Sequence, residues 1–278
     1  MTTSTQPRDS ATRGEHRQVP AFTEILLRDK RHDHAVVIPV INEGDRIRAL
    51  LSRMDEIGIA DIADIIVVDG GSTDGSLAEK LLRDHRVAAL LVKTGAGKLS
   101  AQLRCAYAFC LDAEYHGIVT IDGNNKDDPA PIAAFIDAMK QGIDFVQASR
   151  FITGGVAVNT PVARHAAIRM LHAPLLSLFS GFKWTDTTQG FRAYSRALLT
   201  DPRINLFRDV FQGYELLAYL SYRAPRLGFR CQELPTARRY PEGEVPTKIS
   251  SVRGNLQILR VLLAAISGRY NPPIRRQP

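Results

Sequence analysis

The sequence predicts an α/β protein in which helices cover both faces of a mostly parallel sheet. Two observations predict this fold class. Short runs of β-branched residues alternate with stretches of helical periodicity through the first 150 residues. These strand candidates are continuously apolar, as expected for parallel strands that are buried on both faces. The chain has 278 residues, 45% of them hydrophobic, which is enough for one sizeable core.

Strands and helices alternate in order along this first part of the chain. The expected strands are 35–41, 64–69, 87–92, 117–122 and 144–149. The expected helices are 44–57, 75–84, 98–113 and 129–140. After residue 151 the alternation ends, and the expected elements are helical segments near 161–180 and 208–223, a strand at 228–236, and an amphipathic stretch from Gly254 to Arg269.

The predicted regions of the chain are a flexible N-terminal lead-in (1–30), a main domain (31–250), and a C-terminal amphipathic helix with a basic tail (251–278). Residues 1–20 are polar and lack the apolar run of a signal peptide. The longest apolar runs fall well short of the roughly 20 residues that span a bilayer. The three cysteines match neither a disulfide framework nor a zinc-ligand spacing. We therefore expect a cytoplasmic protein.

The net charge of +7 is concentrated at the C-terminal end. From Arg223 onward there are 11 basic and 3 acidic residues, a balance of +8, whereas the rest of the chain has 25 and 26. A polyanion or an anionic membrane surface would explain this asymmetry, and a solvated basic face is the alternative. Few aromatic residues accompany the basic ones, which argues against a nucleic-acid partner.

Polar side chains follow four of the five predicted strands. They are Asn42 and Glu43, Asp69, Asp122, and Ser149 with Arg150. Because ligands of open α/β sheets bind in the crevice at the carboxyl ends of the strands, these side chains predict a site at that edge.

Asp69 is the candidate for reading a nucleobase or ribose. It ends a buried strand, and the two glycines that follow permit close backbone approach. A carboxylate at a strand end requires a polar partner, which a base or ribose edge would supply. Turn and capping chemistry explains Ser72 and Asp74 equally well.

Asp122 and Asn124 form the candidate metal motif in the segment G-I-V-T-I-D-G-N-N-K-D-D-P (117–129). Two oxygen ligands at positions i and i+2 of a turn can share one Mg²⁺ or Mn²⁺ with a diphosphate. Lys126 is expected near the same phosphate oxygens, and Asp127 and Asp128 are expected to cap the next helix.

The segment T-G-A-G-K-L-S at 94–100 resembles a P-loop but fails its pattern. Val92 stands where the first glycine is required, and Leu99 stands where Ser or Thr is required. The glycines still precede a helix, whose N-terminal amides and Lys98 are candidates for contact with a ligand phosphate. A plain strand-to-helix turn is the alternative.

Several motifs occur in an order that is similar to that of the inverting family-two glycosyltransferases. They are P-V-I-N-E (39–43), V-V-D-G-G-S-T-D-G-S (67–76), G-K (97–98), D-G-N (122–124), A-S-R (148–150), D-T-T-Q-G-F-R (186–192) and Y-P-E-G-E-V-P-T-K (240–248). Within that family the chain resembles the dolichyl- or polyprenyl-phosphate mannose or glucose synthases, over roughly residues 34–250. The resemblance implies a GT-A-like, Rossmann-like nucleotide-diphospho-sugar transferase fold. It also implies a GDP-mannose or UDP-sugar donor, a divalent metal and a lipid-phosphate acceptor.

The resemblance, together with the two lysines noted above, assigns roles by position. The nucleotide-sugar set is Pro39, Ile41, Glu43, Asp69, Lys98, Asp122, Gly123, Asn124 and Lys126. The acceptor-phosphate set is Arg150, Arg164, Arg239 and Lys248. The chain departs from the family at Asn124, where a second aspartate is usual, and at Gln189 and Ile168, where serines are expected. The last two departures affect the expected acceptor more than the donor.

The class of acceptor decides which catalytic groups are needed. A phosphomonoester has a second pKa of about 6, so its oxygen is already ionised near neutral pH and needs no strong base. A sugar hydroxyl needs a carboxylate base. Asp186 is then the catalytic candidate, with bracing of its own loop as the alternative, and Glu215 is a weaker one.

The alternatives that the residues leave open are a hydroxyl acceptor on a glycan, a sugar-1-phosphate nucleotidyltransferase, and a non-catalytic nucleotide-binding module. The second should carry a Gly- and Arg-rich loop after the first strand, which P-V-I-N-E-G-D-R lacks. A lipid acceptor requires peripheral membrane contact or a membrane partner protein. The stretch at 255–266 either lies at the membrane interface or packs on the domain.

Overall fold

The computed structural model describes residues 17–241 and 252–273. The strands in these ranges are β1 (Phe22–Leu26), β2 (His34–Val40), β3 (Asp64–Asp69), β4 (Ala89–Lys93), β5 (Gly117–Thr120), β6 (Phe145–Ser149), β7 (Val156–Val158), β8 (Arg192–Ser195), β9 (Cys231–Pro235) and β10 (Ala237–Arg239). The helices are α1 (Asp45–Glu56), α2 (Glu79–Asp84), α3 (Leu99–Asp112), α4 (Ile132–Lys140), α5 (Val162–Ala167), α6 (Ala173–Ser180), α7 (Arg196–Thr200), α8 (Glu215–Arg226) and α9 (Val252–Ile266).

One large sheet forms the centre of the molecule. Its eight strands run in the order β1-β4-β3-β2-β5-β8-β6-β9, and β7 pairs with β10 in a separate two-stranded sheet. The neighbours β4, β3, β2 and β5 are parallel, as are β6 and β9, whereas β1 and β8 run antiparallel to their neighbours. The predicted α/β class with a mostly parallel sheet is confirmed.

Apolar side chains pack on both faces of this sheet. β2 and β3 are buried along their whole length, as their continuous apolar runs predict. One face packs against α3, and its core extends to α8 and α9, with Tyr107, Leu220 and Leu262 among the buried residues. The other face packs against α1 and α4, with Leu50 and Phe135 in its core.

The N-terminal strand β1 lies within the segment that the sequence predicts as a flexible lead-in. That prediction is wrong for residues 22–26, which pair antiparallel with β4 at the sheet edge. The burial of F-T-E-I-L alternates between the two sides, with Phe22 buried and Leu26 exposed. This pattern fits an edge strand that packs on the core with one face only.

The sequence also does not predict strand β8. Its four residues, R-A-Y-S, insert antiparallel between β5 and β6, so the two halves of the parallel sheet do not touch directly. α8 begins at Glu215 rather than near residue 208, because residues 208–214 form a loop that packs on α3. In this loop the carbonyls of Gln212 and Gly213 accept the amides of Lys98 and Ser100, both at 2.7 Å.

The C-terminal helix α9 packs against α8 and α6. Val261, Leu262 and Ala265 are buried in this contact, whereas Arg260 and Leu263 face outward. Of the two alternatives for this stretch, packing on the domain is therefore the one that the structure shows. No helix in the described ranges is both long and apolar enough to cross a bilayer.

Candidate active site

A cavity of about 750 Å³ opens at the carboxyl ends of β2, β3 and β5. Its floor and walls come from the strand ends, from the loop before β8, and from α5, α8 and α9. The lining residues include Pro39, Ile41, Glu43, Gly70, Lys98, Gln102, Asp122, Gly123, Asn124, Lys126, Arg164, His172, Thr187, Thr188, Gly190, Tyr214, Arg238, Gln257, Ile258 and Val261. The cavity therefore lies at the predicted edge of the sheet.

Two glycines leave space around Asp122. A Cβ at Gly190 would lie 2.1 Å from the Oδ1 atom of Asp122, and a Cβ at Gly123 would lie 2.9 Å from Cγ2 of Val40. Both distances are shorter than a side chain tolerates. Gly190 therefore allows the loop T-Q-G-F to approach Asp122, and Gly123 allows the D-G-N motif to lie against the end of β2.

Arg238 faces the metal motif from strand β10. Its Nη2 lies 3.4 Å from Oδ2 of Asp122, and its Nη1 donates to the buried carboxylate of Asp127. Burial alone would lower the pKa of Arg238, but Asp127 and Asp122 outweigh it and raise that pKa, so the guanidinium stays charged. The expectation that Asp127 caps the next helix is wrong, because its carboxylate is committed to Arg238.

Backbone pairing brings Arg238 to this position. The amide of Arg239 donates to the carbonyl of Lys126 at 2.8 Å, and the amide of Asp128 donates to the carbonyl of Ala237 at 2.9 Å. Strand β10 thus lies along the loop that follows β5, although the two segments are more than a hundred residues apart in the chain.

Positive charge accumulates beside this pair. The Nζ atom of Lys126 lies 5.1 Å from the ring centroid of Tyr240, and Cζ of Arg238 lies 5.7 Å from it. Burial and then the neighbouring Arg238 lower the pKa of Lys126, and burial with the repulsion of Arg238 and Arg150 lowers that of Arg164. Cations that repel one another in a cavity favour the binding of an anion between them.

Asp186 is fully buried beneath the loop 185–190. Its carboxylate accepts from Nε of Arg150 at 2.7 Å and from Nε2 of Gln189 at 2.6 Å. Burial would raise the pKa of Asp186, but Arg150 and Gln189 outweigh it and lower that pKa. Half-buried Glu233 accepts the amides of Thr185 and Asp186, at 2.9 and 3.0 Å. These contacts are those of a loop brace.

The braced loop holds Thr187 and Thr188 against the cavity. Nδ1 of His172 is 2.6 Å from Oγ1 of Thr187, and the ring also lines the cavity. Burial, together with the nearby Arg192, lowers the pKa of His172 to about 4, so its imidazole is neutral near pH 7. His172 ends a π-helical turn, Ile168–His172, that connects α5 to α6.

Asp69 lies at the end of β3 but does not line the cavity. Its Oδ1 accepts from the amides of Gly71 and Ser72, at 3.1 and 2.8 Å, and from the hydroxyl of Ser72 at 2.7 Å. The side chain is 7% exposed. These contacts brace the turn after β3, and its predicted role in reading the base stays a prediction.

The loop before α3 supplies Lys98 to the cavity, where its side chain is exposed. The amides of Lys98 and Ser100 are already bonded to carbonyls of the 212–213 loop. These two amides are therefore already engaged and do not serve the expected phosphate site at the helix N-terminus. The side chain of Lys98 is the group that faces the cavity.

The donor set around Asp122 fits a divalent cation that takes most of its ligands from a substrate. Asp122 and Asn124 both line the cavity, although Oδ1 of Asn124 also accepts the amide of Lys126 at 3.2 Å. Within the described ranges, no three His, Cys, Asp or Glu side chains are grouped to hold a metal. One carboxylate and one amide suit a cation such as Mg²⁺, which is usually bound by one or two carboxylates together with substrate phosphates.

The structure brings most of the predicted site residues together. Those that line the cavity are Pro39, Ile41, Glu43, Lys98, Asp122, Gly123, Asn124, Lys126 and Arg164. Asp69, Arg150 and Asp186 lie in braces next to it, and Arg239 is exposed on β10. Lys248 lies outside the described residues.

The sequence does not predict several of the cavity residues. Three polar ones among them are Gln102, His172 and Arg238. Nε2 of Gln102 donates to the carbonyls of Val40 and Val68, at 2.9 and 3.1 Å, which joins the ends of β2 and β3. Gln102 stands in an apolar helix, A-Q-L-R-C-A, where a buried amide is a usable signal, whereas no local pattern marks His172 or Arg238.

Residues 35–201 match the family described as Glycosyl transferase family 2. The chain belongs to this family. The match covers the strand ends that line the cavity and the brace of Arg150 and Asp186. The family that the sequence resembles is therefore confirmed.

Two curated relatives of this family-two glycosyltransferase come from Haloferax volcanii. Glycosyltransferase AglJ is 25% identical over 72% of this chain, which spans 61% of that protein. The dolichyl-phosphate hexose transferase is 27% identical over 81% of the chain and 90% of its own length.

A solved structure supports the same fold. The glucosyl-3-phosphoglycerate synthase from Mycobacterium tuberculosis, in complex with Mn²⁺, uridine diphosphate and glucosyl-3-phosphoglycerate, superposes with a TM-score of 0.57. The superposition covers 84% of this chain and 80% of that one, at 20% sequence identity. The expected GT-A-like fold is confirmed.

Proposed function

We propose that this glycosyltransferase moves a sugar from a nucleotide-diphosphate donor, GDP-mannose or a UDP-sugar, to a phosphomonoester, with inversion at the anomeric carbon. The acceptor that we favour is a polyprenyl or dolichyl phosphate. One observation carries the proposal. Several cationic side chains lie in or beside the cavity next to the D-G-N motif. The groups that could act as a general base for a hydroxyl acceptor are poor candidates for that role.

The candidate bases are engaged or weak. The carboxylates that line the described part of the cavity are Glu43 and Asp122, and each faces an arginine, with 2.9 Å between Glu43 and Arg46. Asp186 is bonded to Arg150 below the loop. His172, with a pKa of about 4, holds a proton too weakly to deprotonate a sugar hydroxyl efficiently. A phosphate oxygen, already ionised, does not require such a group.

The cations have a use in the same reaction. A phosphate oxygen of the acceptor attacks the anomeric carbon while the bond from that carbon to the nucleoside diphosphate breaks. Two anions must therefore approach each other, and Lys126, Arg164 and Arg238 would reduce their repulsion and fix their orientation. A divalent cation held by Asp122 and Asn124 would neutralise charge that develops on the departing diphosphate.

The relatives support the acceptor and the donor separately. The Haloferax relative is named as a dolichyl-phosphate hexose transferase, and the match covers most of this chain and most of that protein. Its name supports a lipid phosphate as the acceptor. The mycobacterial structure holds uridine diphosphate and Mn²⁺ in the same fold. Asp69 and Arg150 would act from outside the cavity, by holding the loops that form it. The exposed Arg239 would meet the acceptor phosphate from the strand beside the cavity.

The test is a transfer assay with a short-chain, water-soluble prenyl phosphate, Mg²⁺ or Mn²⁺, and a panel of nucleotide sugars. We expect a prenyl-phosphate sugar with inverted anomeric configuration. The Arg164→Ala variant should raise KM for the prenyl phosphate at least about tenfold and change the affinity for the nucleotide diphosphate much less. Lys140→Ala, an exposed cation on α4 away from the cavity, is the matched control and should behave as the wild type.

Two outcomes would contradict the proposal. One is transfer to a sugar hydroxyl at a rate that exceeds transfer to every phosphomonoester offered. The other is that the Asp122→Ala variant, assayed in excess chelator, binds nucleotide and transfers sugar as well as the wild type does with metal. Phosphoglycerate is included as a second phosphomonoester. Transfer to phosphoglycerate alone would support a phosphomonoester acceptor and contradict a lipid acceptor.

A further inference from the structure

An apolar face lies on the outside of the helical segment 162–180, which consists of α5, the π-helical turn and α6. Five large hydrophobic side chains are exposed there: Val162 (84%), Met170 (76%), Leu171 (43%), Leu178 (76%) and Phe179 (42%). We call these five residues the outer face. Met170 and Leu171 stand two helical turns before Leu178 and Phe179, so they lie on the same side of the segment.

The opposite side of this segment is committed to the enzyme. Ile168, Ala173 and Leu176 are buried, and Leu176 belongs to the main core. Arg164 and His172 line the cavity. Within the described residues, the chain therefore leaves the outer face uncovered, while the opposite side of the same segment packs on the core and lines the cavity.

The segment that carries the outer face, and the C-terminal helix beside it, contain basic but no acidic residues. Residues 151–185 contain no aspartate or glutamate, and neither do residues 245–278, which include α9 beside α6. Exposed cations flank the five residues: Arg169 lies 5.8 Å from the ring of Phe151, and Nη1 of Arg226 donates to the carbonyl of Phe179 at 3.1 Å. Lys183 follows α6 and is also exposed.

We propose that the outer face is a docking surface for an anionic lipid bilayer. Exposed apolar side chains would enter the acyl boundary, and the surrounding basic groups would meet the headgroups, as in interfacial helices. Charge complementarity selects this occupant, because anionic headgroups would attract the flanking cations, whereas a second copy with the same acid-free segments would repel them. The interfacial alternative for 255–266 is not the one that the structure shows, because α9 uses its apolar side for packing on α8 and α6.

The inference rests on the proposed function in one respect: if the acceptor is a lipid phosphate, the same bilayer would hold its hydrocarbon chain. A docked outer face would then place the cavity next to the headgroup layer, where a prenyl phosphate exposes its phosphate. The binding itself involves no acceptor and can be measured without one.

The test is flotation of the full chain with vesicles that contain no prenyl phosphate, either phosphatidylcholine alone or with phosphatidylglycerol. We expect binding that requires phosphatidylglycerol and weakens as salt is raised. The double variant Met170→Ser, Leu178→Ser should reduce the partition coefficient at least about tenfold. The matched control, Leu26→Ser with Ile57→Ser, removes side chains of similar size that are 51% and 45% exposed elsewhere, and should bind as the wild type.

The two proposals fail in different ways. If the wild type does not float with anionic vesicles, or if the double variant floats equally well, the outer face is not a membrane surface, whatever the transfer assay shows. If the double variant instead converts a wild-type dimer to a monomer, as measured by light scattering, the occupant is a second copy and the proposal is overturned. Transfer to the water-soluble prenyl phosphate should be the same in the double variant and the wild type, and it tests the proposed function alone.

Discussion

Asn124 stands where a second carboxylate would complete an Asp-x-Asp motif, and the guanidinium of Arg238 faces the carboxylate that remains. Arg238 is 5% exposed, and Asp127, its second partner, is 1% exposed. A buried carboxylate that loses its only cationic partner costs far more than an exposed one. Arg238 therefore serves both the stability of the β5–β10 contact and the charge of the cavity.

We predict that Arg238→Gln lowers the free energy of unfolding by about 3–5 kcal/mol, because Asp127 remains buried without its ion pair. The measurement is urea unfolding at pH 7. Arg239→Gln, the exposed neighbour on the same strand, should change that free energy by less than about 0.5 kcal/mol. Equal small effects in both variants would show that the Arg238–Asp127 pair is not a structural contact.

For single residues, the sequence is a better guide to which side chains line the cavity than to which groups those side chains contact. The D-G-N motif is contiguous, so its place at a strand end follows from the strand alone. The partner of Asp122 is 116 positions away in the chain. No local pattern encodes that pairing, because it depends on how β10 lies along the loop after β5.

Among the elements, α9 has a specific influence on the cavity. Ile258 and Val261 line the cavity, and Leu262 is fully buried in the main core. The helix is thus part of the wall, although its sequence is equally consistent with an interfacial helix. Its amphipathic period predicts one apolar side but not the surface against which that side packs.

We predict that Leu262→Ala lowers the free energy of unfolding by about 2–5 kcal/mol through loss of buried apolar contacts. Leu263→Ala, at a position that is 47% exposed, should cost less than about 1 kcal/mol. Chemical unfolding of both variants gives the comparison. A larger cost for Leu263 than for Leu262 would mean that α9 packs in a different rotation.

Across the whole molecule, the parallel half of the sheet is the part that the sequence predicts well. β2, β3 and β5 have long apolar runs, and their parallel order follows from the helices between them. The edge strand β1 and the inserted strand β8 lack such signals. β8 has only four residues, and its antiparallel position between β5 and β6 depends on long-range pairing.

The end of the sheet opposite the cavity is held by one buried carboxylate at the start of β3. Asp64 accepts from the amide of Arg31 at 2.9 Å, the hydroxyl of Tyr115 at 2.9 Å and Nη1 of Arg28 at 2.5 Å. Burial would raise the pKa of Asp64, but these hydrogen bonds outweigh it and lower that pKa. The carboxylate therefore joins three separate parts of the chain.

We predict that Asp64 contributes to stability at neutral pH and that this contribution disappears in acid. Its pKa is lower in the folded state than the roughly 3.9 of an unfolded chain, so the contribution is complete above that value and is lost as the pH falls through the folded pKa. Asp64→Asn should lower the free energy of unfolding by about 2–4 kcal/mol at pH 7. The measurement is urea unfolding from pH 7 to pH 3, and a deficit that does not shrink below pH 4 would contradict the assignment.

The π-helical turn at Ile168–His172 closes its hydrogen bonds five residues back rather than four, so it holds one residue more than an α-helical turn. On either side of that surplus residue the register is kept, since Arg164 and His172 both line the cavity, while Met170 within the turn is exposed. A chain shortened by one residue within this turn would regain a regular helix without rotating α6. The spare position is thus a place where insertion and deletion can alter the exterior of the enzyme while its interior keeps its register.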